Sequence, residues 1–374
     1  MSDALLALNA GSSSLKYAFY RQEADGHWTA TGRGCIEGQV PEAHLAQVLA
    51  LPGRSADLRA LRGVVHRVVH GGPGFSKAVR VTPEVRASLQ ELLPLAPLHQ
   101  PPNLAGIDAI TRRMPGLPQV ACFDTAFHHG WAPVTELVPL PGAIRAAGIR
   151  RYGFHGLSFE YIARALHRAA PAVAAGRVVV AHLGNGASLC ALRDGRSVDT
   201  SFGFTTLDGL CMGTRPGALD PGIVLYLFQQ LGLSSAAVED ILYRQSGLLG
   251  ISGLSADMRE LLASDRPAAA LAVEYFIHRA ARETASLAAV LGGLDALVFT
   301  AGIGENSAEV RARIAGACSW LGIRLDATAN ARGGPRISAG DSPVQAWVIP
   351  TDEEAMMVHH AIAVLGLGGQ VLSP

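Results

Sequence analysis

Two stretches of the chain alternate between short apolar runs and polar turns that contain glycine. Near the N-terminus, apolar residues 5–8 and 15–20 flank the polar segment 9–14, a pattern that predicts a β-hairpin. The layout returns within residues 178–192, where two apolar runs flank the turn 184–187. Because each half of the chain begins with such a hairpin, we infer an internal duplication.

Longer patterns in the rest of the chain alternate between helices and strands. The Ala-rich segment 267–291 is apolar on more than one face, so we expect a buried helix there. Asn103 and Ser158 stand where helix N-caps are expected. This alternation favours an α/β fold, and 374 residues suggest two domains. Helices are predicted at residues 83–93, 103–113, 157–170, 221–231, 267–291 and 352–364, and strands within 63–69, 120–123, 294–300 and 345–349.

Composition narrows the class of protein. Hydrophobic residues make up 49% and charged residues 17%, which suits a large core and excludes intrinsic disorder. The 31 Lys and Arg balance the 31 Asp and Glu, so the sequence lacks the basic excess of a duplex-binding protein. The five cysteines form no C-x-x-C pair, and we find no signal peptide and no apolar run of membrane-spanning length. We therefore expect a cytoplasmic protein with no nucleic-acid or membrane partner.

Three polar features of the first half could carry chemistry. The turn 9–14, followed by Lys16, offers backbone N–H groups and hydroxyls that suit a phosphate, or it is only a solvent-facing turn. Arg67 lies in an apolar strand, where burial is costly without an anion; the alternative is an arginine on an edge strand. Asp124 ends another apolar strand, which suits either a site at the edge of a sheet or a helix cap.

The second half adds loops and glycines with similar potential. Arg215 stands alone among small residues of a loop. The segment Gly302–Gly304 follows a strand and precedes a helix predicted to begin near Asn306, with Asn306 and Glu309 at capping-box spacing. Acidic residues 352–354 open the last helix, where they either complement the helix macrodipole or hold Mg²⁺.

These features together match the needs of phosphoryl transfer, in which catalysis is mostly positioning and charge neutralisation. A metal pair at His128 and His129 is not expected, because side chains of chain neighbours point in different directions. A dinucleotide-binding dehydrogenase is not expected either, because Ser307 stands where the third glycine of G-x-G-x-x-G would be.

Several segments, taken in order, resemble the motifs of the acetokinase family of short-chain carboxylate kinases. The resemblance runs essentially from end to end and includes long motifs such as Arg151-Tyr152-Gly153-Phe154-His155-Gly156. It implies a duplicated two-domain α/β fold of the actin-like ATPase superfamily, which also holds sugar kinases and heat-shock ATPases, with a cleft between the domains. The segments are 9–16, 66–72, 123–128, 151–156, 182–186, 212–215 and 302–306.

The resemblance also implies a domain arrangement and an activity. Residues 1–126 with 355–374 would form an acyl and phosphate domain, and residues 127–354 a nucleotide-binding domain. The implied reaction is reversible, direct in-line phosphoryl transfer from ATP to acetate, giving acetyl phosphate and ADP, with Mg²⁺, or alternatively Mn²⁺, as cofactor. Family members are usually homodimers, so a second copy of the chain is an expected partner. A carboxylate is already ionised at pH 7, so we expect neither a general base nor a phosphoenzyme.

Carried onto this sequence, the family motifs imply roles for the reacting groups. Arg67 and Arg215 would bind the carboxylate and the transferring phosphoryl group, and Asp124 would orient the carboxylate or an arginine. His155 would stabilise the transition state together with Arg215, and His99 would support that pocket. The substrate-binding residues would be Arg67, Val69, Leu98, Phe154 and Thr206.

The same motifs imply the metal and nucleotide sites. Asn9 and Glu353 would hold Mg²⁺, with the choice between Glu353 and Glu354 left open. The nucleotide-binding residues would be Ser12, Ser14, Lys16, His182, Leu183, Gly184, Asn185, Gly186, Asp257, Met258, Arg259, Gly302, Ile303, Gly304, Glu305 and Asn306.

Two positions depart from the family pattern. Thr206 replaces a proline beside the methyl pocket, so propionate or a related short acid is an alternative substrate. Ala218 replaces an acid in the loop that carries Arg215. A nucleotide-binding regulator of the same fold is the non-enzyme alternative, and it predicts that acyl-site residues are missing. Butyrate kinase shares the chemistry, but its opening motif differs from residues 9–14.

Overall fold

The computed structural model describes residues 2–11, 14–38, 41–51 and 55–371. Both predicted hairpins are confirmed, because β1 pairs antiparallel with β2 and β7 pairs antiparallel with β8. The described strands are β1 Ala4–Ala10, β2 Ser14–Gln22, β3 His27–Glu37, β4 Leu61–Val68, β5 Val79–Arg80, β6 Gln119–Phe123, β7 Arg177–Leu183, β8 Ala187–Arg193, β9 Arg196–Thr200, β10 Ala296–Thr300, β11 Gln345–Val348 and β12 Gln370–Val371.

Helices stand where the longer patterns predict them. The segment 267–291 forms one helix with the predicted bounds, and it packs against β7 and β8 of its own unit. The expectation that the helix is buried is wrong for part of its surface, because Leu271 is 62% exposed and Val290 is 48% exposed. The described α-helices are α1 Pro41–Leu49, α2 Ser55–Arg59, α3 Pro83–Glu91, α4 Gln100–Arg113, α5 Pro133–Glu136, α6 Gly142–Arg145, α7 Gly156–Ala169, α8 Pro171–Ala174, α9 Pro221–Gln229, α10 Ser235–Asp240, α11 Gly247–Ser252, α12 Met258–Leu262, α13 Pro267–Leu291, α14 Ala301–Asn306, α15 Ala308–Ala317, α16 Ala327–Arg332 and α17 Glu353–Leu365. Among the described residues, no helix combines the length and apolarity that crossing a membrane requires.

The chain divides into two compact units. The first comprises Met1–His129, Phe154–Tyr161 and Asp352–Pro374, and the second comprises Gly130–Gly153 and Ile162–Thr351. Phe154–Tyr161 therefore belongs to the unit that contains Asp124, whereas the sequence division assigns this segment to the second domain.

The first unit is built on a mixed sheet whose described strands follow the order β12-β3-β2-β1-β4-β6-β5. The parallel strands β1, β4 and β6 lie side by side, and helices α4 and α17 pack against β1 and β4. Because these three strands run in the same direction, Asn9, Arg67 and Asp124 come to the same edge of the sheet. Strand β4 lies inside the sheet, which excludes the edge-strand interpretation of Arg67.

The second unit repeats this plan. Its described strands follow the order β11-β10-β7-β8-β9, in which β10 is parallel to both β7 and β11. In each sheet, the first strand has its antiparallel hairpin partner on one side and a parallel strand on the other. This shared order supports the internal duplication that the two hairpins indicate.

Three predicted N-caps are wrong. Helix α4 begins at Gln100 rather than Asn103, because the two prolines after Gln100 fit the first turn, where N–H groups need no partner within the helix. Ser158 lies inside α7 rather than at its cap. Asn306 ends α14, and Ser307 caps the next helix by accepting from the N–H of Val310 at 3.3 Å.

Candidate active site

Arg67 is a half-buried cation near the end of β4, with 15% of its side chain exposed. Its guanidinium donates to Asp124, from Nε to Oδ1 at 3.0 Å and from Nη2 to Oδ2 at 2.5 Å. Asp124 follows β6 directly and is 1% exposed, and it is not a helix cap, because Thr125 holds that position. Burial alone would lower the pKa of Arg67, but the charges of Asp124 and Glu353 raise it, so the guanidinium stays charged. A cation fixed in this way suits an anionic ligand.

Asn9 links Arg67 to two glutamates. The amide Oδ1 of Asn9 accepts from Nη1 of Arg67 at 3.3 Å. Its Nδ2 donates to Glu353 Oε2 at 2.9 Å and to Glu354 Oε1 at 3.0 Å. Both glutamates lie in the first turn of α17, whose N-cap is Asp352. Burial raises the pKa of Glu354, and so does the charge of Glu353, against the hydrogen bond from Asn9.

This group of oxygens fits a divalent cation. Mg²⁺ prefers oxygen ligands and is commonly held by one or two carboxylates, with waters and substrate phosphates completing the shell. A cation beside Glu353 and Glu354 would offset the repulsion that raises the pKa of Glu354. Both glutamates contact Asn9, so each is a candidate ligand. Within the described residues no group of three His, Cys, Asp or Glu side chains is placed to hold a metal, so a metal here would have few protein ligands.

The segment Phe154–Gly156 packs onto Asp124. The N–H of Gly156 donates to the carbonyl oxygen of Asp124 at 2.9 Å, and the N–H of His155 donates to its carboxylate. His155 has a φ of 59°, a left-handed conformation that residues other than glycine rarely adopt. A Cβ on Gly156 would lie 2.1 Å from the carbonyl oxygen of Asp124. Backbone contacts therefore fix His155 beside the Arg67–Asp124 pair.

The three apolar residues predicted for the acyl pocket are buried or half-buried. Val69 is 2% exposed and Phe154 is 1% exposed. The ring of Phe154 meets that of His70 edge to face, with centroids 5.5 Å apart. Leu98 is half-buried in the turn that leads into α4. Apolar side chains near Arg67 and His155 in the sequence suit a short acid with an alkyl end.

Two buried amides that sequence reasoning missed hold the strand ends of this site. Asn103 accepts from the N–H of Val69 at 3.0 Å and donates to the carbonyl of Ala10 at 2.8 Å. Gln100 accepts from the N–H of His70 at 3.2 Å and donates to its carbonyl at 3.1 Å. A sequence signal was available, because two amides three residues apart share one face of a helix.

In the second unit, Arg215 lies in the loop between β9 and α9. Its Nη1 donates to the carbonyl of Thr206 at 2.9 Å, so the loop brings these two predicted residues together. Burial raises the pKa of the Tyr243 hydroxyl, and the charge of Arg215 opposes that shift. Gly247 packs closely on the same segment, since a Cβ there would lie 2.7 Å from the carbonyl oxygen of Arg215.

A cavity of about 810 Å³ also lies within the second unit. Its volume is in the range of small-molecule sites. A Cβ on Gly302 would meet nothing within 4 Å, so this glycine leaves open space. Ala256, Leu262, Ala263 and Ser307 line the cavity and were missed by the sequence analysis. The predicted nucleotide-binding residues that line it are Gly184, Asn185, Asp257, Met258, Arg259, Gly302, Ile303 and Asn306.

The other residues predicted for the nucleotide lie elsewhere. Ser12 is outside the described residues. The rest stand outside the cavity lining in the described part of the chain: His182 and Leu183 in β7, Gly186 in the following turn, Gly304 and Glu305 in α14, and Ser14 and Lys16 in β2. His99 immediately precedes α4. Their assigned roles stay predictions.

The repeated sheet plan is that of the two-domain actin-like ATPase fold. A model of the acetokinase family matches residues 37–359. An acetate kinase of Rhodopseudomonas palustris is 51% identical, over 96% of this chain and 98% of its own length. Among solved structures, a propionate kinase from Francisella tularensis is 36% identical with a TM-score of 0.87, over 96% of this chain and 98% of its own. An acetate kinase from Porphyromonas gingivalis is 34% identical with a TM-score of 0.83, over 97% of this chain and 100% of its own.

The chain therefore belongs to the acetokinase family. It is a phosphotransferase, and ATP is the co-substrate of its family. The non-enzyme alternative predicted missing acyl-site residues, yet Arg67, Asp124 and His155 lie together in one unit.

Proposed function

We propose that this chain transfers the γ-phosphoryl group of ATP to acetate, reversibly, giving acetyl phosphate and ADP. The observation that carries the proposal is the Arg67–Asp124 ion pair, in which Asp124 is buried and accepts a hydrogen bond from the backbone of His155, next in sequence to the buried Phe154. A fixed guanidinium neutralises a carboxylate, and an apolar wall accommodates a methyl group while excluding water.

In this mechanism the substrate needs no activation by a base. The acetate carboxylate is ionised at neutral pH, and one of its oxygens attacks the γ-phosphorus in line. A new P–O bond forms while the bond to the ADP oxygen breaks, so no phosphoenzyme arises. Arg67 binds the substrate carboxylate, and Asp124 fixes that guanidinium. Arg215 and His155 stabilise the charge on the transferring phosphoryl group.

Asn9 and Glu353 are the proposed holders of Mg²⁺ or Mn²⁺. When bound, such a cation neutralises phosphate charge. Glu353→Gln and Glu354→Gln, assayed across Mg²⁺ concentrations, test the assignment and separate the two glutamates. The variant that loses a metal ligand should need about 10-fold or more Mg²⁺ for half-maximal activity, on the scale of lost metal-site contacts. Unchanged Mg²⁺ dependence in both variants would show that neither glutamate of α17 binds the metal.

The proposal gives each unit one side of the reaction. Acyl and phosphate binding fall to the first unit, and nucleotide binding to the second. Glycines and small residues around the cavity support the second assignment, because they let a flat base and a ribose approach the backbone. The prediction that Ser12, Ser14 and Lys16 lie near the phosphates is part of the same proposal.

The length of the acyl chain that the enzyme prefers is a separate part of the proposal. Thr206 in place of the family proline and the likeness to a propionate kinase both favour propionate as the second candidate. A hydroxamate assay with ATP and, separately, acetate, propionate and butyrate decides between them. The highest kcat/KM with acetate supports the proposal, and the highest with propionate keeps the mechanism but changes the substrate. No acyl phosphate from any acid would refute the kinase activity.

We also propose a homodimer. Helix α9 and Leu231, two residues after its end, expose large apolar side chains, among them Leu225 at 54%, Tyr226 at 55% and Leu231 at 55%. Contiguous apolar patches of this kind mark contact surfaces. Leu225→Asp should shift the mass measured by light scattering toward the monomer, whereas Val134→Asp, at a site 78% exposed outside this patch, should not.

A cytoplasmic location completes the proposal. The five cysteines are all free thiols, which is usual in a reducing compartment.

A further inference from the structure

Helix α14 forms one wall of the cavity in the second unit through Gly302, Ile303 and Asn306. This helix is poorly suited to form by itself. It has six residues, two of which are glycine, and it begins at Ala301 with a φ of 64°. Short helices are marginal in water, glycine weakens them, and a left-handed alanine is strained. Contacts from other residues must therefore hold the wall in place.

Glu305 provides such contacts at the start of the helix. Its Oε1 accepts from the N–H of Ala301 at 2.7 Å and from the N–H of Thr351 at 3.0 Å. The hydroxyl of Thr300 donates to the same oxygen at 3.4 Å. Side-chain hydrogen bonds to backbone N–H groups at a helix start satisfy donors that have no partner within the helix. The carboxylate thus closes the strained turn between β10 and α14.

The same oxygen also reaches a second functional segment. Thr351 ends the second unit, and Glu353, a proposed metal ligand, follows two residues later. Glu305 itself stands outside the described lining of the cavity. One carboxylate oxygen therefore holds both the cavity wall and the backbone that leads to α17.

We propose that Glu305 is a positioning residue for nucleotide binding, acting through Ala301 and Thr351 rather than by contact with the nucleotide. The proposal rests on the proposed function of the cavity and deepens it. Because all three contacts fall on one oxygen, a glutamine, which keeps one carbonyl oxygen, can replace the glutamate, whereas an alanine cannot.

The test compares Glu305→Gln and Glu305→Ala in the full-length protein. Glu305→Ala should raise the KM for ATP by about 10-fold or more, the scale of a small displacement of positioning groups, with the KM for the acid changed less than about 3-fold. Glu305→Gln should stay within about 3-fold of wild type in both constants, because its amide oxygen preserves the backbone contacts. Glu309→Ala is the matched control, since Glu309 is an exposed acid on α15 that pairs with Arg313 at 3.3 Å.

Two outcomes would overturn the proposal. A glutamine variant as impaired as the alanine variant would mean that the negative charge itself acts on the nucleotide or its metal. An alanine variant with an unchanged KM for ATP would mean that Glu305 positions nothing that the nucleotide uses.

A calorimetric titration with ADP measures nucleotide binding directly. It therefore separates this proposal from the proposed kinase activity. Weaker ADP binding by Glu305→Ala, with wild-type binding by Glu305→Gln, supports the positioning role even if the wild-type protein makes no acyl phosphate. Ala301→Gly added to Glu305→Ala should recover part of the lost affinity, because glycine removes the left-handed strain. Equal ADP binding by the wild type and all variants would refute the role of the turn.

Discussion

Each unit of the molecule holds an arginine with little of its side chain exposed, Arg67 at 15% and Arg311 at 1%, and the two differ in what accepts their hydrogen bonds. Arg67 donates to the carboxylate of Asp124, and the charges around it raise its pKa. Arg311, 1% exposed, donates to neutral oxygens: Asn330 Oδ1 at 2.8 Å, and the carbonyls of Gly304 at 2.9 Å and Glu305 at 2.7 Å. Burial lowers the pKa of Arg311, and in the described part of the chain its hydrogen bonds go to neutral oxygens.

The different acceptors account for the different roles of the two cations. Carbonyls at the end of α14 and the Asn330 side chain engage the guanidinium of Arg311, so its contacts hold backbone together. Arg67 is held along one edge by Asp124 and lies among Asn9, Glu353 and apolar neighbours, an environment suited to an incoming anion. We infer that Arg311 stabilises the second unit and that Arg67 serves chemistry in the first.

The sharpest test of this comparison is Arg67→Met. Loss of the cation that faces the acid should lower kcat/KM for the acid by ~10³ or more, on the scale of a catalytic arginine, with the KM for ATP far less affected. Steady-state kinetics with each substrate varied gives both constants. Arg62→Met, on the same strand but 60% exposed and paired with Asp3, is the matched control and should behave as wild type. A kcat/KM above a tenth of the wild-type value in Arg67→Met would refute the functional role of Arg67.

Arg215→Ala tests whether the second unit also contributes a functional cation. We expect kcat to fall by at least ~10³, because the side chain is proposed to stabilise the transferring phosphoryl group. Turnover at saturating ATP and acid measures the effect. Retention of more than a tenth of wild-type kcat would confine the catalytic arginines to the first unit.

Arg311→Met should affect stability more than chemistry. The change leaves buried carbonyls without donors, at a cost of about 1–3 kcal/mol for each unsatisfied group, so the free energy of unfolding should fall by a few kcal/mol in total. Urea denaturation measures it, with Arg313→Met on the same helix, 35% exposed, as control. A stable Arg311→Met protein that has lost kcat would show that Arg311 is catalytic instead.

Two glycines, one in each unit, allow a similar comparison of backbone packing. Gly156→Ala in the first unit places a Cβ 2.1 Å from the Asp124 carbonyl oxygen, so overpacking should cost about 1–3 kcal/mol of stability. Gly302→Ala in the second unit meets no atom within 4 Å, so the melting temperature should hold while the KM for ATP rises. Thermal melts and ATP kinetics on both variants check this pair, and a destabilised Gly302→Ala with normal ATP binding would contradict it.

The smallest expected effect concerns pH. Burial lowers the pKa of His66 from 6.5 to about 4, although the hydrogen bond to Gln119 opposes the shift. The unfolded chain then binds more protons than the folded one between these values, so the stability due to neutral His66 is present above pH 6.5 and is lost as the pH falls toward 4. Melting temperatures between pH 7 and pH 4.5 should fall less steeply in His66→Gln than in wild type. An equal fall of the melting temperature in both proteins would mean that groups other than His66 cause the loss of stability at acid pH.

The site was predictable to the extent that its residues stand in motifs. Arg67 and Asp124 each attract notice alone, as a charge in or after an apolar strand, and their pairing follows from adjacent parallel strands. The roles of Asn103 and Gln100 at the strand ends were missed, because their spacing shows a shared helix face but not which backbone groups that face meets. The predicted cap at Asn103 was wrong for the same reason. Capping rules consider only neighbouring residues, whereas the partners of Asn103 are Ala10 and Val69, which lie 93 and 34 residues away.

Local patterns were enough to predict the two hairpins, the bounds of the long helix α13 and the glycine turn beside the cavity, because hydrophobic periodicity and turn chemistry act over a few neighbouring residues. Tertiary structure alone decided that Asn9 meets Glu353 from 344 residues away, that Glu305 bonds backbone N–H groups, and that Arg311 is neutralised by no acid within its described contacts. The physical reason is that a buried polar group must find a partner, and the packed fold, rather than the chain neighbourhood, determines which partner is within reach.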